Sequence, residues 1–269
     1  MSFNKSNLIV EHNLKSLGTF GLENYVAHII CMCGRLDFTF DSHQFSLKSG
    51  EAMIVGIQQL LENLQPSADL EAMCIYVKND FLELCTPRSN YGMRGSLALY
   101  SCPVMQMDKD RFEQLRKDFV QIEQRLENSD NPFQEDVLIC ATQMMFLDFF
   151  DIHTAQNGLT NISFQDTDII GRFMQMLEHG DYVKNREMGY YADKLCVTPK
   201  YLSEVCKDVS GKTANYWILR FTTIHIRRLL KEREMTFTQI SDLFEFSSPA
   251  YFSRFVQKHL GASPTNFRE

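Results

Sequence analysis

The most membrane-like run in this 269-residue chain, Tyr25 to Cys33, is far short of the ~20 residues a spanning helix needs and contains His28, so no membrane span is expected. Met1 to Asn7 leads into no long apolar segment, which predicts no secretory signal and a cytoplasmic location. No CxxC occurs, and the eight cysteines follow no small-domain framework, so reduced thiols rather than disulfides are expected. His12, His28 and His43 lack the H-x-H spacing of a metal-binding cupin, and no short-spaced Cys/His pair suits zinc, so no metal and no cofactor are expected. GxSxG, P-loop, HExxH and GxGxxG motifs are all missing, which argues against an enzyme.

What is present is a soluble globular composition, 44% hydrophobic and 23% charged. The net charge of −7 argues against nucleic acid until it is divided along the chain. Residues 186–269 carry 13 basic against 9 acidic side chains, net +4, and the remainder carries 14 against 25, net −11. A basic module joined to an acidic body is the pattern that results.

Residues 7–107 read as β-rich. Leu36, Phe38 and Phe40 alternate with Asp37 and Thr39, as in a half-buried strand, and Phe45 to Lys48 alternates again. Ala52–Val55, Met73–Val77 and Leu97–Tyr100 are further runs of strand length, with a short helical piece at Ile57–Leu64. Cys31-Met32-Cys33 reads either as a redox or metal sensor or as part of a buried strand.

The period changes at residue 108. Phe112, Leu115, Phe119, Ile122 and Leu126 make one helical stripe, which either covers the β-rich part or forms a dimer seam. Asn131, Pro132 and Gln134 predict a capped start for a second helix, with Phe133, Val137, Cys140, Ala141, Met144 and Leu147 as its apolar face. The two helices form a hairpin over 108–155, and 155–162 is the expected linker, ahead of a helix from Ser163 to His179.

An internal repeat organises the rest. Thr198-Pro199-Lys200-Tyr201-Leu202-Ser203 returns fifty residues on as Ser248-Pro249-Ala250-Tyr251-Phe252-Ser253, and Gly211 returns as Gly261. Upstream the offset is 49, pairing Ala192 with Ser241 and Leu195 with Phe244, so the second copy has one extra residue in its turn. Each copy reads as a helix, a tight turn, and a second helix opened by a hydroxyl cap and a proline. The copies span about 189–208 and 237–259, with a continuous helix over 213–233 between them, lined inside by Trp217, Phe221, Ile224, Leu229 and Leu230.

On the second helix of each copy, Leu202, Val205 and Cys206, then Phe252, Phe255 and Val256, form an apolar back. Lys200, Ser203, Glu204 and Lys207, then Ala250, Ser253, Arg254, Gln257 and Lys258, form a polar front suited to a DNA major groove. Arg254 is the strongest base-reading candidate, because a guanidinium bridges O6 and N7 of guanine. Ser203, Ser253 and the amides behind Thr198 and Ser248 suit phosphate. Tyr201 and Tyr251 suit either DNA contact or packing with a wet hydroxyl.

The run Ser248 to Phe255, followed by Gly261-Ala262-Ser263-Pro264 and Phe267-Arg268, resembles the C-terminal signature of AraC/XylS-type bacterial transcription regulators, over roughly residues 162–269. The resemblance implies a seven-helix DNA-binding domain with two helix-turn-helix motifs joined by a long helix. It also implies an N-terminal sensing or dimerisation domain over 1–155, often a cupin-like barrel followed by helices. Double-stranded promoter DNA is the implied partner, with RNA polymerase, an unidentified small-molecule effector and a homodimer through 109–153 as further candidates. The chain departs from the family at Cys196 and Glu245, where each turn usually has glycine. The competing readings are a DNA-repair alkyl acceptor with zinc-bound cysteine, and a cupin-like enzyme carrying the same DNA-binding domain.

Overall fold

Strand formation in the first part of the chain follows the apolar runs. The computed structural model describes residues 5–87, 102–127, 131–157 and 163–268, apart from 20, 23 and 42. Its strands are β1 (Leu8–Glu11), β2 (Tyr25–Cys33), β3 (Arg35–Phe40), β4 (His43–Lys48), β5 (Ala52–Val55), β6 (Leu61–Pro66), β7 (Glu71–Lys78) and β8 (Val104–Met105). They pair antiparallel as a five-stranded sheet, β1-β7-β2-β5-β8, and a three-stranded sheet, β4-β3-β6. The central strands are buried on both faces, so β2 and β7 read as continuous apolar runs, whereas β3 alternates buried and partly exposed positions. Helix α1 (Asn79–Cys85) follows β7.

Ile57–Leu64 is not a helix beyond one 3-10 turn at Gln58–Leu60; Leu61 onward pairs with β3 as β6. Cys31 is buried but Cys33 is exposed, because the register of β2 shifts between them. The strand expected at Leu97–Tyr100 lies outside the described residues, as does most of the expected linker.

Two long helices cover the five-stranded sheet, α2 (Lys109–Glu127) and α3 (Gln134–Asn157). The stripe Phe112, Leu115, Phe119 and Ile122 lies in the core with Ile30, Ile54 and Ile75, so it covers the sheet and is not free to form a dimer seam. The face expected for α3 is corrected: Phe133, Met144 and Leu147 are 66%, 53% and 47% exposed, and Cys140 is exposed. Of the expected face Ala141 alone points inward, with Val137 half-buried, and Leu138, Met145, Phe146, Phe149 and Ile152 complete the buried side. No capping box forms, since Asn131 accepts from the Phe133 amide and the Gln134 side chain donates to the Arg125 carbonyl. By length and composition Gln134–Gln156 would pass for a membrane span, a property the sequence reading missed; its inward face belongs to the core of this unit.

The chain divides into two compact units, Met1–Asn161 and Ile162–Glu269. The second contains α4 (Phe164–Glu178), α5 (Met188–Lys194), α6 (Pro199–Ser210), α7 (Ala214–Glu232), α8 (Phe237–Leu243) and α9 (Pro249–Leu260). Among its described residues these are the six α-helices, against the seven that the resemblance implies, with 3-10 turns at Asp181–Val183 and Thr265–Phe267. Hydroxyl caps start most of them: Ser163, Thr198, Thr213, Thr236 and Ser248 each accept a first-turn amide, and Thr236 with Gln239 closes a full capping box. Trp217, Phe221, Leu229 and Leu230 are buried on α7, but Ile224 is only half-buried, and Ile218 and Ile226 take the inner positions.

Candidate nucleic-acid interface

The two repeats fold alike down to individual hydrogen bonds. In the first turn the Cys196 amide donates to Asp193 and the Val197 amide to Ala192, at 3.1 and 3.0 Å. In the second, the Glu245 amide donates to Asp242 and the Phe246 amide to Ser241, both at 2.9 Å. Cys196 and Glu245 adopt φ of 56° and 50°, so both turns keep the left-handed conformation although neither residue is glycine. The extra residue of the second copy is absorbed at the cap, where Thr198 has φ −78° and Ser248 has φ −166°. Both hydroxyls nevertheless accept the amide three residues on, from Tyr201 and Tyr251 at 3.2 and 3.1 Å. Gly211 and Gly261 end the two second helices at φ 72° and 80°.

Leu202, Val205, Cys206, Phe252 and Val256 are buried, with Phe255 half-buried. Thr198, Lys200, Glu204, Lys207, Pro249, Ala250, Tyr251, Arg254, Gln257 and Lys258 are exposed, whereas Tyr201, Ser203, Ser248 and Ser253 are half-buried. All of the candidate residues thus sit on α6, α9 or their caps, but not all are equally available. Lys200 and Glu204 pair with each other at 3.8 Å. The Ser253 hydroxyl donates to the Pro249 carbonyl, and the Gln257 side-chain Nε2 to the Gly261 carbonyl. Tyr201 donates to Asp166 of α4 at 2.8 Å, a bond that raises its pKa. Tyr251, its counterpart, packs on Phe246 with the Arg254 guanidinium 5.9 Å above its ring. The front of α6 therefore carries a neutralising pair, while α9 presents Arg254 and Lys258 without an acidic residue of its own.

Residues outside the repeat also shape this surface and were not legible in it. Asp166 holds both the Ser163 hydroxyl and Tyr201. His225 of α7 lies 3.0 Å from the Tyr182 hydroxyl through Nδ1 and 3.2 Å from an Arg228 nitrogen through Nε2. A guanidinium only donates, so Nε2 accepts and Nδ1 carries the proton toward Tyr182. Burial and then the Arg228 charge lower the His225 pKa to about 4, which keeps the ring neutral.

A protein with two such motifs joined by one long helix has a tandem helix-turn-helix domain. The family described as "Helix-turn-helix domain" matches residues 191–269, and this C-terminal region is a helix-turn-helix domain of AraC type. The probable transcription factor PqrA of Proteus vulgaris is 30% identical over 78 residues, covering 29% of this chain and 64% of that protein. Among solved structures, unsaturated-fatty-acid-bound ToxT from Vibrio cholerae is 13% identical, covers 99% of this chain and 96% of its own, and superposes with a TM-score of 0.47. The AraC-like transcriptional activator CuxR is 12% identical, covers 87% and 79%, and has a TM-score of 0.40.

Proposed function

We propose that this chain is a cytoplasmic, sequence-specific transcription regulator that reads promoter DNA with α6 and α9 in successive major grooves. The observation that carries the reading is the duplicated turn-and-cap geometry on either side of α7. Nineteen residues of α7 span about 28 Å at ~1.5 Å per residue, close to the ~34 Å between successive major-groove faces on one side of B-DNA. Arg254 reads a guanine edge, Lys207 and Lys258 meet phosphate, and the amides at the starts of α6 and α9 bind further phosphates. Tyr201 positions its helix through Asp166, and Tyr251 is the tyrosine free to touch DNA.

The first unit senses an effector or dimerises, and RNA polymerase is a further partner. With the α2 stripe buried, the dimer contact moves to the outer face of α3, where Phe133, Val137, Cys140, Met144 and Leu147 follow coiled-coil steps of four and three. The occupant is a second copy of this chain, α3 packed antiparallel on α3.

The alkyl-acceptor alternative gains no support, because burial pushes Cys31 up to about 11 and Cys85 and Cys206 up to about 12, the opposite of an activated thiolate. The direct test is selection of duplexes from a randomised pool by the full chain. A two-block consensus about one helical turn apart is expected, and a pool that enriches no sequence overturns the reading. On a selected duplex, Arg254→Ala should lose about 1–3 kcal/mol at one base position. An equal loss on every sequence reassigns Arg254 to phosphate.

A further inference from the structure

Between α4 and α5 runs a short segment, Asp181 to Arg186, that neither the repeat nor the reading helices include. It is fastened on three sides. Toward the first motif, Tyr190 donates to Asp181 at 3.0 Å and Tyr191 to the Asn185 carbonyl at 2.9 Å. Toward the joining helix, Tyr182 meets His225 and packs on Phe221. Toward the second motif, the Arg186 guanidinium donates to the carbonyl of Phe244, the residue before the left-handed Glu245, and also to Val183 at 3.0 Å. Its plane lies 4.5 Å over the Phe246 ring.

Phe246 is the residue through which this contact reaches the reading helix. Its ring packs on Phe252 and Phe255 of α9 at 5.4 and 5.1 Å. The Phe244 ring meets His225 at 5.2 Å, so the second turn is also held from α7. Arg186 stands two residues before α5, the first helix of the first motif. Besides the connection along α7, the motifs are therefore joined across it by the Arg186 side chain. Partial burial works against the Arg186 charge, and the neighbouring Glu245 carboxylate offsets that.

Resting on the DNA-reading function above, we propose that Arg186 is a positioning residue that sets the half-site spacing this protein accepts. A lone 19-residue helix bends and twists, and the turns at its ends add freedom. A second tie near the turn of one motif removes the rocking of α9 relative to α6. Spacing discrimination depends on that rigidity, since one inserted base pair displaces a half-site by ~3.4 Å and rotates it by ~34°.

The test uses the full chain, duplexes it has selected from a randomised pool, and the same duplexes with one or two base pairs inserted between the blocks. The wild type should lose about tenfold or more in affinity per insertion, as for a mismatched contact. Arg186→Met removes the donor and the planar cation; its insertion penalty should fall below about threefold while thermal melting stays cooperative. Arg186→Lys keeps a charge without the fork or the flat face, and its penalty should fall between the two. Wild-type penalties in a folded Arg186→Met protein overturn the proposal. If that variant does not fold, an unchanged penalty in Arg186→Lys overturns it. A wild-type chain that selects no duplex overturns the DNA-reading function and this inference with it, whereas selection with equal penalties overturns the inference alone.

Discussion

Asp118 on α2 and Asp148 on α3 bring two carboxyl groups together in the seam of the helical hairpin, with Asp118 only 3% exposed. Two neighbouring carboxylates, one of them buried, cannot both be charged without a large penalty, so the pair holds a proton. Burial first, then the Asp148 carboxyl, raises Asp118 to about 8, against ~3.9 in an unfolded chain. Between those values the folded state binds a proton that the unfolded state has released. Stability from this pair is complete below about pH 4 and is lost as pH rises toward 8. Urea midpoints of the full chain at pH 5 and pH 8 should show that fall, and Asp118→Asn, which still donates to Asp148, should flatten it. An unchanged slope in the variant places the proton elsewhere.

Cys196 and Glu245 adopt a left-handed backbone that glycine occupies without strain. Relief of the strain outweighs the added freedom of the unfolded chain, so Cys196→Gly and Glu245→Gly should each stabilise the C-terminal unit by about 0.5–1 kcal/mol. Denaturant unfolding checks this, and a loss of stability in either variant means that the replaced side chain contributes more than the backbone strain removes.

Arg268 closes the joining helix from the far end of the chain. Its guanidinium donates to the carbonyls of Leu230 and Met235 and lies 4.2 Å over the Phe237 ring. These charge-assisted bonds at a helix C-terminus predict that Arg268→Ala loses about 2 kcal/mol. The amides of α8 should gain hydrogen exchange before those of α6, and uniform exchange across the unit would count against a local staple.

The outer stripe of α3 makes a prediction about assembly. Met144→Glu and Leu147→Glu replace exposed side chains, so thermal stability of the protomer should change by less than ~0.5 kcal/mol while self-association is lost. Analytical ultracentrifugation separates the outcomes. A wild-type chain that sediments as a monomer at all concentrations ends the dimer proposal.

The C-terminal unit was largely legible because its signals are local. A hydroxyl cap, a proline in the first turn and a C-cap glycine act within three or four residues of themselves, and their recurrence at offsets of 49 and 50 exposes the duplication. The α3 face was misread for the opposite reason. Its sequence has apolar residues on two sides, and choosing the buried one requires knowing where the sheet lies. Arg186 and Asp166 were invisible as partners because their contacts, Phe244 and Tyr201, lie 58 and 35 residues away.

By itself, then, the sequence determined the two turn-and-cap units, the long helix between them and the basic bias of that end, all encoded within a few residues of where they act. The tertiary structure alone decided which α3 stripe faces the core, which tyrosine is tied down and where Arg186 reaches. Those outcomes depend on side chains brought together across the fold, and no short-range spacing rule encodes such meetings.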